Sequence, residues 1–211
     1  MSQFVILLGG ELTATSRLKR QTRHSRVLSA DSGMRHAVTL GLHAEAWLGD
    51  FDSSDDELVR LHADVPRIEF PSDKPKTDGE HSIDEAISRG ATSMLLVGAL
   101  RGERSDHFVQ LVTQMIVLAE KGIPCIASSG REEAYPLMPG EVTLDFPRGT
   151  VFSIVSLQDI GGLSIRGVRW PLNDHDVPYG SSLTMSNVVT DTLSINMKRG
   201  RAMIFANLKV E

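Results

Sequence analysis

The sequence predicts two domains of different class. An α/β domain with a mostly parallel sheet flanked by helices occupies residues 1–135, and an all-β antiparallel sandwich occupies 136–211. Two observations carry this. Up to about residue 130, short apolar runs alternate with helical patterns, the strand–helix repetition of a parallel sheet. Beyond Met138-Pro139-Gly140 no convincing helical pattern follows, and short segments are separated by Pro147-Arg148-Gly149, Gly161-Gly162, Pro178-Tyr179-Gly180 and Lys198-Arg199-Gly200.

In the first domain Phe4–Leu8 reads as a strand ending in Gly9-Gly10. Arg26–Ser29 is a second strand, ending in Ala30-Asp31-Ser32-Gly33, and a helix from about Gly33 to Leu40 stops at Gly41. Ala46–Leu48 is the third strand. Ser54 and Glu57 form a capping box, so a helix follows to about His62. Arg67–Phe70 is the fourth strand. Thr77 and Glu80 form another box, opening a helix with the buried stripe Ile83, Ala86 and Ile87 and an end at Gly90. Ser93–Val97 is a strand. The longest helix is capped by Ser105 or Asp106, carries Phe108, Leu111, Val112, Met115, Leu118 and Ala119 at helical spacing, and closes at Gly122 and Pro124. Pro124–Ser128 completes this domain. In the second, strands are expected over Glu141–Phe146, Thr150–Leu157, Leu163–Trp170, Ser182–Val189, Leu193–Met197 and Ala202–Leu208.

Bulk properties narrow the function classes. A hydrophobic content of 41% supports a real core, and a net charge of −5 provides no basic footprint for nucleic acid. Cys125 stands alone, so no disulfide can form within the chain and a reducing compartment fits. The run Phe4–Leu8 is too short for a signal-peptide core or a membrane span. These features read as a cytoplasmic protein with neither a membrane nor a nucleic-acid partner.

The chemistry gathers at strand ends. Asp31, the Asp50/Asp52 pair, Asp78 and Asp106 each follow a different predicted strand. A parallel sheet brings such ends to one rim, where several carboxylates repel one another unless a cation is shared. Asp50 and Asp52 are two apart, on one side of an extended chain, and hard oxygen ligands of this kind suit Mg²⁺ bound together with substrate phosphates. A calcium loop is excluded, since its sixth position is Asp55 and its twelfth Leu61. Lys74, Lys76 and Arg104 stand ready for phosphates, as do the helix N-termini after Ser54, Thr77 and Ser105. The parts suit phosphoryl chemistry, but there is no Walker loop and no protein-kinase motif set.

Six motifs, in order, resemble the thiamine pyrophosphokinase family over nearly the whole chain. They are Ala-Asp-Ser-Gly at 30–33, Gly-Asp-Phe-Asp-Ser at 49–53, Thr-Asp at 77–78, Arg-Ser-Asp-His at 104–107, Gly-Val-Arg-Trp-Pro-Leu at 167–172 and Thr-Met-Ser-Asn at 184–187. The resemblance implies transfer of a pyrophosphoryl group from ATP to the hydroxyl of thiamine, giving thiamine diphosphate and AMP. It implies Mg²⁺, an α/β catalytic domain, a sandwich that binds thiamine, and a homodimer with sites at the subunit interface. Carried over by motif, Asp50, Asp52 and Asp78 handle Mg²⁺ and phosphates, with Thr77 beside them. Asp31, Arg104 and Asp106 complete the ATP and transfer site, and Trp170, Ser186 and Asn187 contact thiamine. Two positions depart from the family pattern: Ser32 stands where Gly is usual, and the Gly98–His107 loop is one residue longer, with Glu103 before Arg104. Two other readings compete, a nucleotide-sugar transferase using Asp50-x-Asp52 for metal and a module that binds thiamine or nucleotide without turnover.

Overall fold

A computed structural model describes residues 2–51, 56–71, 76–102 and 104–208. The chain forms two compact units, one of Met1–Val109 with Ile123–Gly130, the other of Gln110–Gly122 with Arg131–Glu211. In the first unit the strands are β1 (Gln3–Leu7), β2 (Arg26–Ala30), β3 (Ala46–Gly49), β4 (Arg67–Glu69), β5 (Ser93–Val97) and β6 (Cys125–Ser128). All pair in parallel, in the order β6-β5-β1-β2-β3-β4. The helices of this unit are α1 (Ser16–Gln21), α2 (Arg35–Leu40), α3 (Asp56–Leu61) and α4 (Asp78–Ser88), with a 3₁₀ turn over Asp31–Met34 before α2; α5 (Ser105–Glu120) begins in this unit and from Gln110 on belongs to the other.

The sheet is buried on both faces, as a parallel sheet must be. Val5 and Leu7 of β1 join Leu18 of α1, Met34, Ala37 and Leu40 around α2, and Trp47 of β3 in one apolar cluster. Phe4, Ile6 and Leu8 alternate to the other face. There α4 packs on β1, β2 and β3, and a Cβ on its Gly79 would stand 3.4 Å from Leu8 Cδ2. The strand order reverses at β1: the chain runs outward through β2, β3 and β4, then returns to place β5 on the other side of β1. Such a switch point opens a crevice at the carboxyl ends of the two strands.

The predicted strands and helices of this unit recur within a few residues. The sequence reading omits α1, whose one buried residue is Leu18, and it merges the 3₁₀ turn with α2. The expected cap at Ser54 lies outside the described residues.

The second unit holds β7 (Glu132–Leu137), β8 (Gly140–Leu144), β9 (Val151–Ser156), β10 (Ile160–Val168), β11 (Leu172–Val177), β12 (Asn187–Met197) and β13 (Ala202–Asn207). All pairings are antiparallel. One sheet runs β7-β13-β9 and the other β8-β12-β10-β11. β12 belongs to both: Asn187 and Val188 pair with β9 before the strand crosses to β10 and β8. Phe152, Ile154 and Ile204 from one sheet and Leu163, Ile165, Val189 and Ile195 from the other share one core. This is the antiparallel sandwich expected, with corrections in detail. The segments Ser182–Val189 and Leu193–Met197 are one strand beginning at Asn187, Trp170 lies beyond the end of β10, and β7 and β11 are additional. Among the described residues no helix is long and apolar enough to cross a membrane.

Candidate active site

The crevice between the ends of β1 and β5 is built from glycine. The Gly10 N–H donates to the Gly98 carbonyl at 2.9 Å. A Cβ on Gly10 would lie 2.4 Å from that oxygen, and one on Gly98 would lie 2.3 Å from the Leu8 carbonyl oxygen. Gly98 also has φ +71°, so both close approach and backbone conformation require glycine there. Two neighbours in α2 hold the loop from beneath: Arg35 donates to the Gly9 carbonyl, and His36 Nε2 lies 2.8 Å from the Gly10 carbonyl. His36 is buried, and burial pushes its pKa below the usual histidine value. A carbonyl only accepts, so the neutral ring carries its proton on Nε2. In the sequence Gly9-Gly10 marks only a strand end, and no local pattern points to Arg35 or His36.

Along the same rim, Asp31 opens the 3₁₀ turn with φ +46°, and its carbonyl accepts from the buried Trp47 indole Nε1–H at 2.8 Å. Asp50 follows β3, and the backbone at Gly49 passes close enough that a Cβ there would stand 3.4 Å from Asp31 Cα. Asp78 is the first residue of α4, whose cap is the expected one, Thr77 Oγ1 accepting from the Glu80 N–H at 3.2 Å. The Asp78 carbonyl in turn accepts from Ser82 Oγ at 2.8 Å. With Gly79 beside Leu8, the structure thus places Asp31, Asp50 and Asp78 at the carboxyl ends of β2, β3 and β1 respectively.

Phe70 stands on the β4 side of this rim. Its N–H donates to the Gly49 carbonyl at 3.0 Å, and its ring stacks on His81 at 4.0 Å between centroids. Lys76 is drawn along α4 instead, to Asp84 at 2.6 Å and Glu80 at 3.3 Å. Asp52 and Lys74 lie outside the described residues. Among the described residues no three His, Cys, Asp or Glu side chains gather closely enough to hold a metal ion by themselves.

The Arg104 carbonyl accepts from the Phe108 N–H, which puts Arg104 in the capping place of α5. Its guanidinium forks onto Asp106, Nε to Oδ1 at 3.0 Å and Nη2 to Oδ2 at 2.7 Å. That hydrogen bonding holds the Asp106 carboxyl at about 2 and raises the Arg104 pKa. Both side chains are exposed, so the pair is open to competition from solvent or an anion.

In the second unit Trp170 is 53% exposed, which excludes it from the core. The guanidinium of Arg169 sits 4.8 Å over its ring. Asn187 is buried and its side chain clamps the Trp170 backbone: Oδ1 accepts from the Trp170 N–H at 3.2 Å, and Nδ2 donates to the Trp170 carbonyl at 2.8 Å. Ser186 is exposed at φ +58°, its N–H donating to Ser153 Oγ at 3.0 Å. Thr184, two residues earlier, is buried, its Oγ1 donating to the Ile154 carbonyl at 2.6 Å.

A family model described as the catalytic domain of thiamin pyrophosphokinase matches residues 19–127. A second, its vitamin B1 binding domain, matches residues 141–201. The chain belongs to the thiamin pyrophosphokinase family. It is an enzyme of the transferase class, with a catalytic and a vitamin B1-binding part. Among curated relatives it is similar to thiamine pyrophosphokinase of Bacillus subtilis, with 27% identity over 195 residues and 89% of each chain covered.

Solved thiamine pyrophosphokinases share the fold. The Bacillus subtilis structure aligns with a TM-score of 0.87 at 20% identity, covering 99% of this chain and all of the other. That of Candida albicans aligns at 0.82 and 12% identity, covering 99% of this chain and 89% of the other. The catalytic-domain match spans Asp31, Asp50, Asp52, Thr77, Asp78, Arg104 and Asp106, and the vitamin B1 match spans Trp170, Ser186 and Asn187. Cys125 is buried on β6 with its thiol pushed up to about 12 by burial, so it is no nucleophile.

Proposed function

We propose that this protein transfers the pyrophosphoryl group of ATP to the hydroxyl of thiamine, releasing AMP. The observation that carries the reading is that one chain holds both family parts, with an acidic strand-end rim in the first and an exposed Trp170 in the second. In this reaction the hydroxyl oxygen forms a bond to the β-phosphorus of ATP as the bridge to the α-phosphate breaks. The charge that builds up on the phosphate oxygens is what a catalyst must stabilise.

The donor chemistry fits Mg²⁺, which takes one or two carboxylates and completes its shell with substrate phosphates and water. Asp50, Asp52 and Asp78 are the residues to hold it, and when bound it neutralises charge between phosphate oxygens. Asp31 completes the acidic side. Thr77 presents the amino end of α4 to the phosphate chain. Arg104 turns from Asp106 to a phosphate, since its fork suits either partner. Trp170 offers its indole face to the cationic thiazolium or the flat pyrimidine of thiamine, as it already does to Arg169. Ser186 lines the thiamine end, and Asn187 acts through the Trp170 main chain it clamps.

We take residues 1–135 and 136–211 as the working halves, the enzyme as a homodimer with its sites at the subunit interface, and the cytoplasm as its location. Nothing observed favours the nucleotide-sugar transferase, which has no use for a vitamin B1-binding part. The test is to mix the protein with ATP, Mg²⁺ and thiamine and follow AMP. Thiamine-dependent AMP release, abolished by chelation and by Asp52→Asn, supports the reading. Binding of thiamine with no AMP formed would identify a module without turnover.

A further inference from the structure

Trp47 is fully buried on β3, yet it touches both carboxylate loops of the rim. Its Nε1–H donates to the Asp31 carbonyl at 2.8 Å. Its ring meets Phe51 edge to face, 5.0 Å between centroids and 79° between planes. Arg67, its direct partner across the β3–β4 pairing, lays its guanidinium over both rings, 5.4 Å from Trp47 and 5.1 Å from Phe51. The two residues reached by the indole are unusual in backbone: Asp31 has φ +46° and Phe51 has φ +60°. Side-chain-bearing residues stay in that region when their surroundings hold them there.

A phenylalanine at 47 could fill the core. What only tryptophan adds is the N–H, and here that N–H is spent on the main chain of a neighbouring carboxylate loop. We propose that Trp47, clamped beneath Arg67, is a positioning residue that ties the Asp31 turn to the Gly49–Phe51 loop, so that Asp31 and Asp50 face one ligand at a fixed separation. The consequence for turnover rests on the pyrophosphokinase reading. The tether itself does not.

The experiment compares wild type with Trp47→Phe by amide hydrogen exchange and by kinetics. The tether predicts faster exchange confined to residues 30–34 and 49–51, by about tenfold or more, with the rest of the unit unchanged. It predicts a kcat lower by about tenfold to a hundredfold, since misplacement of reacting groups costs that much. Thiamine KM should stay within about twofold, which separates lost positioning from lost binding. Unchanged exchange at both segments, or a uniform rise through the unit with kcat and KM unmoved, overturns the proposal and leaves Trp47 a core residue. Should Trp47→Phe fail to fold, Arg67→Met opens the clamp from the exposed side without a cavity. Faster exchange at 49–51 then supports the tether, and no change there overturns it. If the wild type makes no AMP from ATP and thiamine, the pyrophosphokinase reading fails, while exchange still decides on the tether.

Discussion

Arg104 and Asp106 meet through two parallel hydrogen bonds on an exposed surface, so each is preorganised by the other before any ligand arrives. A phosphate that Arg104 takes up displaces or shares that fork. Lysine keeps the charge but not the planar pair of donors. Arg104→Lys is therefore expected to raise ATP KM and lower kcat, on the order of tenfold in kcat/KM, the worth of a charge-assisted hydrogen bond. Steady-state kinetics with varied ATP check it, and values within about twofold of wild type would make Arg104 a surface charge. Trp170→Ala is expected to raise thiamine KM by several-fold to about thirtyfold, the range of a cation–π contact, with ATP KM unchanged. Its half exposure means the fold should survive the change. Asp31 and Asp50 were legible in the sequence because each follows an apolar run, and Asp78 and Asp106 because helix-start signals surround them. The left-handed backbones of Asp31, Phe51 and Ser186 were not, because tertiary contacts such as the Trp47 indole hold them and no local pattern announces those.

At the scale of elements, β1, β2, β3 and β5 were legible because each is a largely apolar run closed by glycine or an acidic turn, whereas β4 is a short, mostly exposed edge strand, Arg67–Glu69. What escaped the reading lacked such a signal. α1 is polar apart from Leu18. β7 carries Pro136, which argues against a strand, yet it pairs with Met203 of β13. β11 reads Leu-Asn-Asp-His-Asp-Val and exposes most of its length, as an edge strand can. β12 is interrupted in sequence by Thr190-Asp191-Thr192, which hides that one strand serves two sheets.

The glycine crossing of β1 and β5 became visible only once strand order was known, and it carries a prediction about pH. His36 beneath it has a folded pKa lowered by burial. The unfolded chain then binds the proton more readily, so the histidine's contribution is complete above its unfolded value of about 6.5 and is lost as the pH falls from there toward the folded value. Thermal midpoints measured downward from neutral pH should fall more steeply for wild type than for His36→Gln, whose amide keeps a donor for the Gly10 carbonyl without titrating. Parallel curves would remove His36 from the acid response.

For the whole molecule, the change of class along the chain was legible because helical patterns stop beyond Met138-Pro139-Gly140, and the family matches divide in the same order. If the site is shared between subunits of a two-fold dimer, Asp52→Asn and Trp170→Ala damage different contributions to each site. Assayed at thiamine well below the KM of Trp170→Ala, where both variants are impaired, mixing them under subunit exchange should then restore about a quarter of the sites to wild-type behaviour, because half of the dimers are mixed and one site in each is intact. No recovery despite proven exchange would place both residues in a site within one chain.

In the proposed reaction two phosphates move together in one transfer. ATP labelled at the β-phosphate, incubated with the protein, Mg²⁺ and thiamine, tests it most directly. The label is expected in thiamine diphosphate, with one AMP formed for each product molecule and no ADP or thiamine monophosphate along the way. Label retained in ADP, with thiamine monophosphate as the first product, would contradict it.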